Sequence, residues 1–497
     1  VKGISSSALG DVVIGLDLGT TSVKALALSA SGEVLARAGG SYALHTGTGD
    51  RETGGSATQD AEEVVSVALR ALEALAAQLA GRPVRAVVPS AAMHSLVLVG
   101  ADGEVLAPAL TWADTRPQET LPGLRALLDA QESYARTGCP LQAPYHPARL
   151  WWLAQTRPEL FARVARFVSL TDLVLHRLTG EWATSVGLAS TTGLWNLHTA
   201  AWDQGLLAAL GLQETHLPTV SDAREQVGTV REGVLRGVPV LAGGSDGALA
   251  NLGTGAGLGE TVVTVGTSGA VRRFGSAPYL DPQIDRGLAR TWSYRLDLGT
   301  HLIGGAINNG GLLLDWVRRG WYPELDAHEG FSRLLADAGD VPAGADGLTL
   351  LPYLTGERSP YWRTDLSATL HGLRLAHGRT EVARAALEAV AFSLAEVWTL
   401  TDGTRASGAE VYSTGGLAAS PLWNGLLADV LGVPVRVSDA ADASAIGASL
   451  LGHGEEALHL VRQRARAGQV YRPVPGTAAA LHEAGTRWRS LYARLYG

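Results

Sequence analysis

The sequence predicts an α/β protein of two lobes built to one design. Strands alternate with amphipathic helices along the chain, and one strand-turn-strand unit occurs twice, at 13–28 and again at 260–274. At 497 residues, against roughly 100–200 for a single domain, two or three separate cores are expected. Hydrophobic residues make up 46% and charged ones 18%, the balance of a packed globular chain and not of a disordered or coiled-coil one.

The first unit reads VVIGL (12–16), a turn DLGTTS (17–22), then VKALAL (23–28). Both flanks favour strand, so the unit is a hairpin. A phosphate loop of the GxxxxGK[ST] kind runs from strand into helix and is excluded here. Asp60 is the predicted N-cap of a helix over AEEVVSVALRALEALAAQLAG, with Glu63 at the capping-box position and Gly81 just past its end. The segment 82–88 then reads as a buried strand that delivers Met93 and His94 to its end, and 96–107 as another hairpin. Residues 238–253 run strand, glycine turn, helix. The second unit, ETVVTVGTSGAVRRF, repeats the first, and the glycine-rich LGTGAGLGE at 252–260 marks the expected boundary. The expected organisation is a flexible tail over 1–10, an N-terminal domain over 11–254 and a C-terminal domain over 255–497.

Charge and cysteine content exclude several functions. The formal net charge is −8 with no run of Lys or Arg, which leaves no electrostatic footprint for nucleic acid or anionic lipid. A small molecule is the expected partner. Cys139 is the single cysteine, so an intrachain disulfide and a cysteine-based metal site are both excluded. No apolar run approaches the roughly 18 residues of a membrane span and the start is not signal-like; a cytoplasmic location is expected. Lysine occurs only at Lys2 and Lys24, which singles out Lys24.

Two GT turns, one per half, can offer backbone N–H groups and threonine hydroxyls to phosphates from two sides. Asp17 beside the first turn repels phosphate unless a cation lies between them, and Mg2+ suits one carboxylate plus phosphate oxygens. The plain alternative is a turn-capping aspartate. VYSTGG at 411–416 reads as a strand ending at paired glycines before a helix, where a nucleotide can approach the backbone. Asp246, at the start of the helix after AGGS, is a candidate base for a substrate hydroxyl, with the helix dipole favouring its ionised form.

The runs GLDLGTTSVKA, SAAMHSLVLV, TWADTRP, LTGEWATSVGLASTTGLWNL, GGSDGALANLG, VGTSGA, LPYLTGERSPYW and STGGLAASPLWN, in this order over about residues 11–453, resemble the FGGY carbohydrate kinases of the actin-like ATPase superfamily. MHS, TWADTR and ASTTGLWNL look most like gluconokinase. The resemblance implies a two-domain actin-like ATPase (ribonuclease H-like) fold, each domain a mixed β-sheet flanked by helices, with ATP and sugar in the cleft. It implies Asp246 as catalytic base and Asp17 as the residue that binds magnesium and phosphate. It places Gly19, Thr20, Thr21 and Lys24 at the first phosphate loop, Gly266 and Thr267 at the second, and Gly310, Gly415 and Gly416 beside the nucleotide. Met93 and His94 are implied to contact the sugar, with Trp112, Asp114 and Arg116 in or near that pocket. Arg116, whose plain alternative is a salt bridge with Asp114, suits the carboxylate of gluconate. Arg149 stands where relatives often carry lysine and is left outside the catalytic set.

The implied reaction is ATP- and Mg2+-dependent phosphorylation of D-gluconate to 6-phosphogluconate, in a chain that could form a homodimer. The alternatives are another sugar or polyol kinase of the family, acting on xylulose or glycerol, and a non-metabolic actin-like ATPase that switches on a protein partner. The sugar-side runs MHS, TWADTR and GGSD speak against the last. A catalytically dead sugar sensor is disfavoured by the presence of both Asp17 and Asp246.

Overall fold

The structure, a computed structural model, describes residues 11–47, 55–281, 284–285, 288–401, 410–438 and 441–497; the expected tail over 1–10 lies outside them. Two seven-stranded sheets organise the described residues. In the first, Val12–Leu18, Ser22–Ser29 and Val34–Ser41 form an antiparallel meander. Val84–Ala91 lies parallel to the first of these strands, Pro239–Leu241 lies parallel to Val84–Ala91, and Gln226–Thr229 closes the edge antiparallel. The second sheet repeats this plan. Its meander is Thr261–Val265, Gly269–Gly275 and His301–Ile307; Val411–Gly415 and Val435–Val437 follow in parallel, and Val470–Tyr471 closes antiparallel. The duplication is therefore one of strand order and direction as well as of the GT turns.

The first turn is tighter than the sequence suggests. The ladder runs through Leu18 and resumes at Ser22, so Asp17 lies inside a strand, opposite Lys24. Because helices cover both faces of such sheets, their central strands read as continuous apolar runs instead of alternating ones. Asp60 caps Ala61–Gln78 as expected, its carboxylate accepting from the N–H groups of Glu62 and Glu63 at 3.0 and 3.1 Å. Val64, Val65, Ala68, Leu72 and Leu75 form the buried stripe of that helix against the first sheet, and each fully buried Val or Leu contributes about 1.5–3 kcal/mol. Arg379–Leu400 lies in the corresponding core of the second sheet.

One helix joins the halves. Ala443–His453 packs on Val12–Leu18 and crosses the Asp246–Gly253 helix. A Cβ on Gly447 would lie 1.9 Å from the Leu249 carbonyl oxygen, and one on Gly253 1.9 Å from that of Ala443, so glycine at both positions lets the two backbones touch. This joint sits behind the residues that face the cleft. No helix among the described residues is long and apolar enough to cross a membrane.

Candidate active site

The first wall follows from strand register. Leu18 and Ser245 both align with Ala91 on parallel strands, so the segments that follow, Gly19–Thr21, Met93–His94 and Asp246, emerge at one carboxyl edge, where open α/β sheets receive their ligands. Asp246 is the first residue of its helix, and its carboxylate accepts from the Gly247 N–H at 2.6 Å. Burial raises its pKa, against the opposing charge of Arg272. The expected dominance of the helix dipole is thus reversed, because desolvation disfavours the charged form more strongly. Burial likewise pushes Asp17 up to about 7, with the Asp246 charge adding to the rise and Ser90, whose hydroxyl donates to Asp17 at 2.7 Å, opposing it.

Side chains hold the first turn from behind. The Tyr42 hydroxyl donates to the Gly19 carbonyl, the Gln59 amide donates to that of Thr20 at 2.5 Å, and Trp112 Nε1 donates to the Thr20 hydroxyl at 3.1 Å. With its carbonyls engaged, the turn keeps a fixed shape. Lys24 does not stand free beside it: its ammonium is 2.9 Å from the Asp442 carboxylate, which Arg37 also approaches at 3.4 Å.

The second turn is held by a helix end. The N–H groups of Gly311 and Leu312, which open the Gly311–Trp321 helix, donate to the carbonyls of Gly266 and Thr267 at 2.8 and 2.9 Å. A Cβ on Gly311 would fall 2.5 Å from the Gly266 oxygen and one on Gly310 2.7 Å from that of Ser268. Register pairs Val265 with Gly415, which brings Gly266, Thr267, Gly310, Gly415 and Gly416 to one edge. Gly415 has φ +85° and its Cβ would meet the Val265 oxygen at 2.4 Å, whereas Gly416 faces open space. The paired glycines enter a short 3-10 turn, Gly416–Ala419, and the expected helix begins only at Pro421.

Between the walls lies a cavity of about 270 Å3, lined on one side by Thr20, Met93, His94, Trp112 and Asp246 and on the other by Ser268, Arg272 and Arg358. Tyr145, Trp292, Tyr294 and Trp362 supply its aromatic surface, with Trp292 and Tyr294 stacked at 4.2 Å and the Tyr145 and Tyr294 hydroxyls bonded at 2.6 Å. Apolar and aromatic walls with a few convergent polar groups are the usual form of a small-molecule site. His94 has φ +67°. Burial and the nearby Arg149 charge hold its imidazole well below the usual histidine range, against a backbone contact at Thr191, so the ring is neutral, and among the described residues its buried Nδ1 has no hydrogen-bond partner.

Arg149 has a structural answer. Its buried guanidinium donates to the carbonyls of His94 and Thr111, tying the MHS turn to the TWADTR loop. Asp114 and Arg116 stand behind the wall and not on it. Arg116 donates through Nε at 3.0 Å and Nη2 at 2.6 Å to the buried Asp114 carboxylate, which also accepts from the Ala57 N–H at 3.2 Å, and its guanidinium lies 4.8 Å over the Trp152 ring. The fork expected for a sugar carboxylate is occupied by a protein carboxylate.

Sequence reasoning missed Tyr42, Gln59, Arg272, Arg358 and the aromatic wall. Arg272 was legible in part: it lies two residues after Ala270 on a strand whose alternate residues share a face, and both line the cavity. Nothing local in the sequence marks Tyr42 or Gln59, whose contacts are made through tertiary packing.

Among the described residues no cluster of three or more His, Cys, Asp or Glu forms a ready-made metal cage. The desolvated Asp17 carboxylate beside Asp246 offers the hard oxygen donors that Mg2+ takes when waters and phosphates supply the remaining ligands; the residues fit that ion.

Residues 12–253 match the N-terminal domain, and residues 261–453 the C-terminal domain, of the FGGY family of carbohydrate kinases. The chain is 31% identical over 459 residues to a gluconokinase of Bacillus licheniformis, covering 88% of this chain and 86% of that one. It is 32% identical over 496 residues to a xylulose kinase of Streptomyces coelicolor, covering 96% of each. The crystal structure of gluconate kinase from Lactobacillus acidophilus superposes with a TM-score of 0.89 at 28% identity, covering 98% of both chains. Fold, cleft and likeness define an ATP-dependent carbohydrate phosphotransferase with the actin-like, ribonuclease H-like fold. The chain belongs to the FGGY family of carbohydrate kinases.

Proposed function

We propose that this kinase transfers the γ-phosphoryl group of ATP to the 6-hydroxyl of D-gluconate, giving 6-phosphogluconate. The observation that carries the reading is the single cavity in which Asp246 faces both GT turns through Thr20 and Ser268. The gluconokinase relatives support the sugar acid; the xylulose kinase at equal identity supports the rival, an uncharged ketose.

In this reading Asp246 accepts a hydrogen bond from the substrate hydroxyl, orients it in line with the phosphorus, and takes its proton as the bond forms. Its raised pKa brings it nearer the operating pH of a general base. Neutral His94, with Nδ1 unpartnered, and Met93 and Trp112 fix the sugar. Gly19, Thr20 and Thr21 contact phosphate oxygens from one side, Gly266 and Thr267 from the other, and Gly310, Gly415 and Gly416 border the nucleotide. Lys24, ion-paired with Asp442, stands beside the first loop. Asp17 would hold Mg2+, which supplies charge neutralisation between that carboxylate and the triphosphate. Asp114, Arg116 and Arg149 act from behind by fixing the loops that carry Trp112 and His94. Closure of the lobes excludes water and favours transfer to sugar over hydrolysis. We assign the reaction to the cytoplasm.

The test is ADP release by the purified chain with Mg2+ and ATP, on D-gluconate, D-xylulose, glycerol and no sugar. Release is expected to be fastest with gluconate, and Asp246→Asn to lower turnover by about 10²- to 10⁴-fold with unchanged circular dichroism. Faster turnover on an uncharged sugar overturns the substrate, and near-normal turnover of the variant overturns the base.

A further inference from the structure

Buried charges in proteins are compensated, because an isolated ion in a low-dielectric interior is strongly disfavoured. The sugar cavity departs from this rule on one wall. Arg272 and Arg358 both line it, and burial pulls both guanidinium pKa values down. Arg272 donates through Nη1 to the Thr264 hydroxyl at 3.3 Å. Arg358 donates through Nε to the Asn308 side-chain oxygen at 2.7 Å and through Nη2 to the Ile307 carbonyl at 3.2 Å. Every one of these acceptors is neutral, and among the described residues neither guanidinium forms an ion pair.

The nearby carboxylates act on these arginines, Glu357 on Arg358 and Asp246 on Arg272, but neither forms an ion pair with them and both have other partners. Glu357 accepts from the backbone N–H groups of Asn308 and Arg358. Asp246 is the one carboxylate on the cavity wall, and it faces the substrate hydroxyl in the reaction proposed above. With His94 neutral, the wall itself presents two guanidinium groups and one carboxylate, Glu357 acting on Arg358 from outside the lining. Arg272 senses the field of Arg358, which also reaches His94, Tyr145 and Tyr294 on the cavity wall. The Arg358 guanidinium also lies 5.5 Å over the Trp112 ring, a contact that fixes its plane.

We propose that Arg272 and Arg358 form the subsite that reads the carboxylate of a sugar acid whose distal hydroxyl lies at Asp246. The assignment rests on the gluconate reading and gives it the carboxylate partner that Arg116, engaged by Asp114, does not supply. A planar guanidinium matches a carboxylate in two parallel charge-assisted hydrogen bonds. Both arginines belong to the second sheet's side of the cleft, while Asp246, Met93 and His94 belong to the first. A sugar acid therefore bridges the lobes, and an alditol of the same length leaves the two charges unpaired, which is how a polar site rejects an analogue that lacks the matching group.

The experiment measures kcat and KM for D-gluconate, and the dissociation constant of Mg·ADP by calorimetry, in the full chain and in Arg272→Gln, Arg272→Lys, Arg358→Gln and Arg358→Lys. Each glutamine variant is expected to lose about 100-fold in kcat/KM, mainly through KM, and each lysine variant to recover part of that loss. Mg·ADP affinity should stay within about 3-fold of wild type, because ground-state nucleotide binding does not use these groups. A fall in kcat with KM unchanged overturns the proposal in favour of arginines acting on the transferring phosphoryl group, and no fall overturns it outright. A wild-type preference for xylulose or glycerol, visible before any variant is made, instead defeats the gluconate reading itself. Should a glutamine variant not fold, wild-type calorimetry without nucleotide decides: gluconate should bind at least ~10-fold tighter than D-glucitol, and equal affinities overturn the proposal.

Discussion

The two GT hairpins share strand order and direction yet differ in what stands beside and behind them. Within the first, Asp17 lies opposite Lys24; within the second, the position that precedes the turn by the same spacing is Thr264, opposite Ala270. The first turn is buttressed by three side chains, Tyr42, Gln59 and Trp112, the second by the backbone of a helix start at Gly311 and Leu312. One strand plan thus stands in two different settings. In the proposed site the Asp17 side would need a cation to approach phosphate, whereas the Thr264 side carries no carboxylate at that position and its partner strand, Gly269–Gly275, carries Arg272.

The largest expected effect tests that division. Asp17→Asn should lower turnover by about 100-fold or more and abolish the normal Mg2+ dependence. Thr264→Val should instead cost about 1 kcal/mol of stability, by breaking the 2.8 Å contact with the Thr414 hydroxyl, and leave the Mg2+ midpoint in place. Titrating Mg2+ at saturating ATP reads both variants. Equal shifts of the midpoint would break the comparison.

A smaller effect separates buttress from ligand contact around the second turn. Gly311→Ala drives a Cβ to within 2.5 Å of the Gly266 oxygen, a backbone atom that cannot move aside, and should lower stability by about 1–3 kcal/mol. Gly416→Ala meets nothing within 4 Å and should stay within about 0.5 kcal/mol of wild type. If that open space belongs to the nucleotide, the same methyl should raise KM for ATP roughly 10-fold, equivalent to about 1.4 kcal/mol. Thermal unfolding and ATP titration decide, and an unchanged KM removes Gly416 from the nucleotide site.

What was legible in the sequence followed from local rules. The two hairpins, the Asp60 cap and the Asp246 helix start are set by β-branched runs, a capping residue and a glycine turn, each readable within a few positions. The residues that close the site were not legible because their partners are distant in sequence: Tyr42 acts on Gly19, Gln59 on Thr20, and Arg149 on His94 and Thr111. Arg116 shows the converse. The sequence offered its fork either to a sugar carboxylate or to Asp114 two residues away, and in the folded loop Asp114 occupies it.

The smallest effect concerns pH and belongs to the second buttress alone. Glu357 accepts from the Asn308 N–H and the Arg358 N–H, and Asn309 Nδ2 approaches it at 3.4 Å, so it anchors the chain immediately before Gly310 and the helix that holds Gly266 and Thr267. Burial pushes its carboxyl up from 4.5 to about 7. A carboxyl whose folded pKa is raised contributes stability that is full below its ordinary value and is lost as pH rises through the folded value. Wild-type stability should therefore fall, relative to Glu357→Gln, as pH goes from about 4.5 to about 7, because glutamine keeps the acceptor oxygen and does not titrate. The difference in melting temperature between the two should change by roughly 2–4 °C across that window. The first turn, held by Tyr42, Gln59 and Trp112, has no carboxyl in its buttress, so Tyr42→Phe should lower stability by the same amount at both ends of the window. Parallel curves for wild type and Glu357→Gln would mean that Glu357 is ionised throughout, held so by the amides it accepts from, and that the two buttresses respond to pH alike.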